Sequence, residues 1–311
     1  MLTDAQLISM LAPPDHPVDV VFDSDTRNEI DDQYALIYLL KNSEKLHLRA
    51  LYAAPFFNDR STSPGDGMEQ SYEEQLHLLR MMGREDLLPV TFRGSDRYLP
   101  DEKTPVDSPA ARDLAARAMA YSPEEPLYVV TIGCITNVAS AILLAPEIAD
   151  RIVVVWLGGN ATHIGTCDEF NMMQDIAAAR VACRKAPFVQ LPCSGVVDRF
   201  HFSIVELKSL LSGYGPVCDY LVSITEELAR ARSDFDHIAY SKVIWDVTAV
   251  AWLVNGAKFF NSRITDLHLP TYSNHYEEIP ERLMRYVTKV EQVPLATDMV
   301  QKLTDGKRFA R

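Results

Sequence analysis

Four aspartates, Asp23, Asp25, Asp31 and Asp32, fall within ten residues, between an apolar run from Val18 to Phe22 and a helical pattern of Tyr34, Leu36, Ile37 and Leu40. Like charges this close repel, so a strand end and a helix start carry them together when a proton or a cation relieves the repulsion. Asp25, Asp31 and Asp32 can converge on one point and offer the oxygen ligands that Ca²⁺ prefers and Mg²⁺ accepts with more water retained. The plainer reading is that Asp31 and Asp32 cap the helix and complement its dipole. One capping acid is common, but it leaves Asp23 and Asp25 on the strand side unexplained.

The elements that position these groups alternate along the chain. Val18–Phe22, Leu46–Ala53, Leu88–Phe92, Leu127–Ile132, Ile152–Leu157 and Phe188–Leu191 read as strands. Asp31–Lys41, Met68–Met82, Ala110–Tyr121, Asn137–Leu144 and Asp175–Lys185 read as the helices between them. This order predicts an α/β fold with a mainly parallel open sheet flanked by helices. Beyond about Val197 the pattern becomes mostly helical, through Pro216–Arg232 and Asp246–Val254, with a strand candidate at Ile264–Leu269 and a closing helix near Leu295–Leu303. Such sheets bind ligands beyond the carboxyl ends of their strands. Asp25, Ile132 with Gly133, and Gly158 with Gly159 all follow strands and are expected to meet at one rim. The stretches Asn58–Gly67 and Gly94–Pro109 read as loops within a domain, and residues 1–311 as one domain.

Composition narrows the function classes. The 311 residues carry 30 basic and 43 acidic groups, a formal charge of -13, which disfavours phosphate backbones and anionic lipid as partners. Five widely spaced cysteines without a C-x-x-C pair read as reduced thiols. Met1–Pro14 lacks the basic leader of a secretory signal, and no stretch approaches the length of a membrane span, so the cytoplasm is the expected address.

Further motifs follow in order. Gly133-Cys134-Ile135-Thr136-Asn137-Val138-Ala139 comes after a strand, as does the pair Gly158-Gly159. Glu169-Phe170-Asn171 leads to Asp175 and an Ala-rich helix, and Trp245-Asp246-Val247-Thr248-Ala249-Val250-Ala251 comes late. Each alone has a bland reading as a turn, a helix cap or a solvated loop. Together with Asp-x-Asp and Asp-Asp at the head of a helix, this series resembles the nucleoside hydrolases of the inosine–uridine type, which cleave the N-glycosidic bond of ribonucleosides.

The resemblance implies a nucleoside hydrolase fold, a homodimer or homotetramer, and a Ca²⁺ ion held by Asp25, Asp32, the Ile132 carbonyl and Asp246. It gives Glu169, Asn171, Asn58 and Asp31 the task of holding the ribose. Asn160 beside the glycine pair, and His163 six positions before Glu169, where the family carries a ribose-binding asparagine, are further candidates for the substrate. The first loop is longer than the family's usual Asp-x-Asp-Pro-Gly-x-Asp-Asp. Where many members place histidine before the late aspartate as a proton donor to the base, this chain has Trp245, as in the purine-preferring branch that stacks tryptophan on the departing purine. His237 and Tyr240 can supply a proton or a stacking face, although a surface histidine is the plainer reading of His237.

The chemistry implied is hydrolysis through an oxocarbenium-like transition state, with Asp25 as general base towards water and Trp245 assisting the leaving base. Two other readings compete. Val20-Val21-Phe22-Asp23-Ser24-Asp25-Thr26 also looks like the strand and Asp-x-Asp nucleophile of haloacid dehalogenase-type phosphohydrolases, which would need further motifs that the sequence does not clearly carry. The third reading is a ribose or nucleoside binder that has kept the cation pocket without turnover.

Overall fold

The computed structural model describes residues 2–232 and 240–310. In chain order the first half comprises α1 (Asp4–Met10), β1 (Val18–Ser24), α2 (Asp31–Leu40), β2 (Leu46–Ala53), α3 (Pro64–Met81), β3 (Thr91–Arg93), α4 (Pro109–Ala118), β4 (Leu127–Thr131), α5 (Thr136–Leu144) and β5 (Ile152–Leu157). The second half comprises α6 (Phe170–Gln174), α7 (Ile176–Lys185), β6 (Phe188–Leu191), β7 (His201–Ser203), α8 (Ile204–Leu211), α9 (Pro216–Arg232), β8 (Ser241–Val243), α10 (Val247–Phe259), β9 (Phe260–Pro270), β10 (Tyr276–Val290) and α11 (Gln292–Leu303).

Eight strands form one sheet in the order β3-β2-β1-β4-β5-β6-β10-β9, parallel throughout except for the β9–β10 pair. The fold class expected from the sequence is therefore present. Strand residues alternate between two apolar layers. Val20 and Phe22 of β1, Tyr128 and Val130 of β4, and Val153 and Val155 of β5 pack into one cluster with α2, α10 and α11. Val21, Val129, Val154 and Trp156 pack into the other with α4, α5 and α7. Burial on both faces is why these strands read as mainly apolar runs, broken in β1 by Asp19.

Two differences from the expected elements have physical causes. The stretch read as a strand at Leu88–Phe92 is instead a 3-10 helix over Glu85–Val90 with a three-residue β3 after it, because Pro89 has no N–H to give to a ladder. The isolated strand expected at Ile264–Leu269 is half of a long hairpin, β9 with β10, that completes the sheet. Only Arg285 and Tyr286 of β10 pair with β6, so most of the hairpin lacks a second neighbour and lacks the apolar signature that sheet burial imposes.

The sheet order reverses at β1, whose neighbours β2 and β4 leave in opposite directions along the sheet. A doubly wound sheet opens a crevice at such a switch point, beyond the carboxyl ends of its strands. Asp25 and Ile132 are the residues that leave β1 and β4 there.

Candidate active site

The loop after β1 is pinned from below. Ser24 Oγ donates to Asp32 Oδ1 at 2.7 Å and lies 2.6 Å from Thr26 Oγ1. Gln75 Nε2 of α3 reaches Thr26 Oγ1 and the Tyr52 carbonyl, each at 3.1 Å. On the β4 side the chain approaches so closely that a Cβ at residue 133 would lie 2.9 Å from Cγ and Oδ1 of Asp25, so glycine is required. Trp156 Nε1 holds that turn by donating to the Gly133 carbonyl at 3.0 Å.

Asp23 and Asp25 are one strand residue apart and do different work. Asp23 is fully buried on the α5 side, where it accepts Asn137 Nδ2 at 2.8 Å and Thr131 Oγ1 at 3.1 Å. Burial still pushes its carboxyl up to about 7. Asn137 also donates to the Ala53 carbonyl at 3.1 Å and accepts the Ser95 amide at 2.7 Å, so one asparagine ties the ends of β1 and β2 to the loop after β3. A phosphohydrolase built on Asp23-Ser24-Asp25 would need the carboxylate of Asp23 free at the strand end, and here it is enclosed and occupied.

Asp25 is 1 % exposed, and its Oδ2 is buried with no hydrogen-bond partner among the described residues. Burial, then the neighbouring Asp32, drive its carboxyl well above the usual carboxylate range. Asp31, Asp32 and Asp246 form a buried group in which each offers an oxygen within 4.8 Å of the others. Burial and Asp31 push Asp32 up to about 7, and burial with Asp31, Asp32 and Asp25 lifts Asp246 well above the usual carboxylate range. Neither helix is capped by these acids. The N-caps of α2 and α10, Ile30 and Asp246, make no side-chain cap bond, and Asp31 Oδ2 instead accepts the Trp245 amide at 3.0 Å. The capping explanation of Asp31, Asp32 and Asp246 therefore fails, and a buried acidic cluster able to hold a cation remains.

The expected ligand set differs from this group in one respect. Asp31 replaces Asp25 in the close triplet, while Asp25 lies alongside with a free oxygen. Ile132 lines the same space, and its carbonyl accepts Asn171 Nδ2 at 2.8 Å, which leaves a second lone pair.

A cavity of about 420 Å³ opens over the cluster. Among the residues expected to meet a substrate, Asp31, Asn58, Glu169, Asn171 and Trp245 line it. Glu169 is held rigidly, accepting the Gly159 amide at 2.7 Å and those of Asn171 and Met172 at 3.0 and 3.1 Å, so it also caps α6. Burial raises its carboxyl as well. Asn58 Nδ2 donates to Asn28 Oδ1 at 2.7 Å, and its own Oδ1 accepts the Arg60 amide at 2.9 Å.

Three expected substrate residues do not reach the cavity wall. Asn160 is buried with its Nδ2 spent on the Asp168 carbonyl at 2.9 Å. His163 sits exposed on the 3-10 turn Thr162–Ile164, and Tyr240 precedes β8 with its carbonyl accepting the Ile204 amide. His237 lies outside the described residues.

Sequence reasoning missed Glu29, Lys242 and Arg232. Lys242 Nζ lies 2.8 Å from Asp31 Oδ1 and also binds Glu29, whose other oxygen is 2.7 Å from Arg232 Nη2. Glu29 and Lys242 are 213 residues apart, and no local spacing announces such a pair.

A sequence model of the family described as "Inosine-uridine preferring nucleoside hydrolase" matches residues 20–310. An inosine-uridine preferring nucleoside hydrolase of Leishmania major is 33% identical over 94 residues, which is 29% of this chain and 30% of that protein's length. A plant nucleoside hydrolase superposes with a TM-score of 0.73 at 18% identity, covering 93% of this chain and 99% of its own. A purine-preferring ribonucleoside hydrolase from Gardnerella vaginalis gives 0.72 at 19% identity, covering 94% and 100%. With the order of motifs in the sequence, the acidic cluster at the switch point and a match over nearly the whole chain, the protein belongs to the inosine-uridine preferring nucleoside hydrolase family.

Proposed function

We propose that the chain hydrolyses the N-glycosidic bond of a ribonucleoside to ribose and a free base, with Ca²⁺ held by Asp25, Asp32, Asp246 and the Ile132 carbonyl. Besides family membership, one observation carries this reading: Asp25 keeps a buried, unpartnered oxygen beside the acidic cluster at the floor of the cavity. A buried carboxylate oxygen without a partner is costly, and a hard cation satisfies it while offsetting the mutual repulsion of its neighbours. When bound, the cation supplies Lewis acidity towards water and charge for the vicinal hydroxyls of ribose.

The chain's own groups do the rest. Asp25 accepts the proton of the attacking water, its carboxylate lying beside the cluster with one oxygen unpartnered. Glu169, Asn171 and Asn58 orient the sugar, and their fixed hydrogen bonds mean that little ordering is left for substrate binding to impose. Trp245 offers an aromatic face to the base, which favours a purine over a smaller pyrimidine and raises the basicity of the departing ring.

Two experiments test this. Incubation with calcium and a panel of purine and pyrimidine nucleosides, followed by chromatography, should show free base. Binding by calorimetry without release over long incubation would instead make the chain a nucleoside binder. Removing the stacking face by Trp245→Ala should cost about 1–3 kcal/mol, roughly tenfold or more in kcat/KM, and more for purine than for pyrimidine nucleosides. Unchanged turnover across the panel would remove Trp245 from the mechanism.

A further inference from the structure

We propose that Lys242 is a positioning residue that holds Asp31 as a neutralised anchor, outside the cation's ligand set, and thereby sets how tightly the cation is bound. The inference rests on the cation-dependent reading above and concerns residues that reading does not use. Proximity alone would make Asp31 a third ligand, since its carboxylate is grouped with those of Asp32 and Asp246. Its hydrogen bonds argue otherwise. Oδ1 is 2.8 Å from the Lys242 ammonium and Oδ2 accepts the Trp245 amide at 3.0 Å, whereas Asp25 next to it keeps an oxygen free.

The lysine cannot easily leave. Its side chain is 4% exposed, it sits on β8 paired with Phe202 of β7, and Glu29 of the long first loop grips it from the other side. Arg232 at the end of α9 then binds Glu29, so two acids and two bases close a locally neutral chain along the cavity wall. The residues Thr26 to Ile30, which make the first loop longer than the family's usual pattern, supply the glutamate of this chain. A fixed positive charge one residue away from the ligand set weakens cation binding, and it also leaves Asp31 with a defined position beneath Trp245.

A charge cycle read by calorimetry with CaCl₂ or MnCl₂ alone tests this. Lys242→Met leaves one more uncompensated negative charge near the cation and should tighten binding on the order of tenfold, while Asp31→Asn, which leaves the lysine uncompensated, should weaken it about as much. The double variant Asp31→Asn/Lys242→Met removes both charges at once, leaves no orphan ion, and should return to within about threefold of the parent protein. Lys242→Arg keeps the charge and should also stay within about threefold.

If Asp31 ligates the cation, the double variant binds as weakly as Asp31→Asn, and the inference is wrong. If Lys242 is only a structural residue, Lys242→Met binds with parent affinity, and the inference is equally wrong. Should Lys242→Met fail to fold, the double variant and Lys242→Arg still decide, because both keep local charge balanced. A parent protein that takes up neither cation sinks the functional reading and this inference together, whereas parent uptake with an insensitive cycle sinks the inference alone.

Discussion

Asp25→Asn is expected to abolish base release, lowering kcat/KM by more than about 10⁴-fold, because it removes the general base and the charge of a proposed cation ligand in one step. General-base assistance alone accounts for about 10²–10⁴-fold, and the lost ligand charge adds to it. The same change should make the cation-free protein more stable. Asp25 is wholly enclosed, and burial followed by Asp32 already disfavours its charge, so a neutral isostere relieves a conflict that the fold otherwise tolerates. A rise of a few degrees in Tm in the presence of chelator, paired with loss of chromatographically detected base, is the signature of strain kept for function. Turnover within about tenfold of the parent would show that Asp25 is not the base.

Removing the cation is the second large effect. Chelation should stop turnover and lower Tm, and calcium at about 100 times its Kd should return roughly 2.7 kcal/mol of stability. The pH dependence has a definite sign. Asp32 and Asp23 are pushed up to about 7 in the fold against 3.8 for the free side chain, in each case mainly by burial. Between those values the folded chain holds more protons than the unfolded one, so these two groups make the stability of the chelated protein fall as pH rises from about 4 to 7. Calcium competes with protons for the cluster, so its stabilising effect should be larger at pH 8 than at pH 5.5. Thermal melts with and without chelator at those two pH values check both statements, and a chelated protein that grows more stable across this window would contradict the assignment of the cluster.

Much of this architecture was legible because parallel strands covered on both faces are rich in apolar residues: β4 and β5 are almost wholly so, and β1, β2 and β6 carry apolar stretches interrupted by Asp19, by His47 and Arg49, and by Gln190. The aspartates stood out because their repulsion is visible in the sequence itself. The β9–β10 hairpin was harder to read, since most of it lacks a second strand neighbour and carries charged residues such as Arg263, Asp266 and Glu277 among its apolar ones. Nothing local could identify Asp23 as an interior strut, because its partner Asn137 is 114 residues away. Lys242 was equally silent: a lone lysine reads as solvent-facing, and only the pairing of β7 with β8 carries it to the first loop. The expectation for His163 rested on a family position and that for Asn160 on its place beside the glycine pair, and the local chain spends the amide of Asn160 internally and turns the imidazole out to solvent.

The ion pair between Glu29 and Lys242 and the bond from Trp245 to Asp31 each join the opening of the polypeptide to its last third. A nascent chain halted before residue 240 would already contain Asp25 and Asp32, yet would lack both Asp246 and the ammonium that restrains Asp31. Competence for the proposed cation is therefore expected only of the finished polypeptide, once its late segments dock, and refolding followed with a calcium-sensitive dye should report uptake after the sheet has formed.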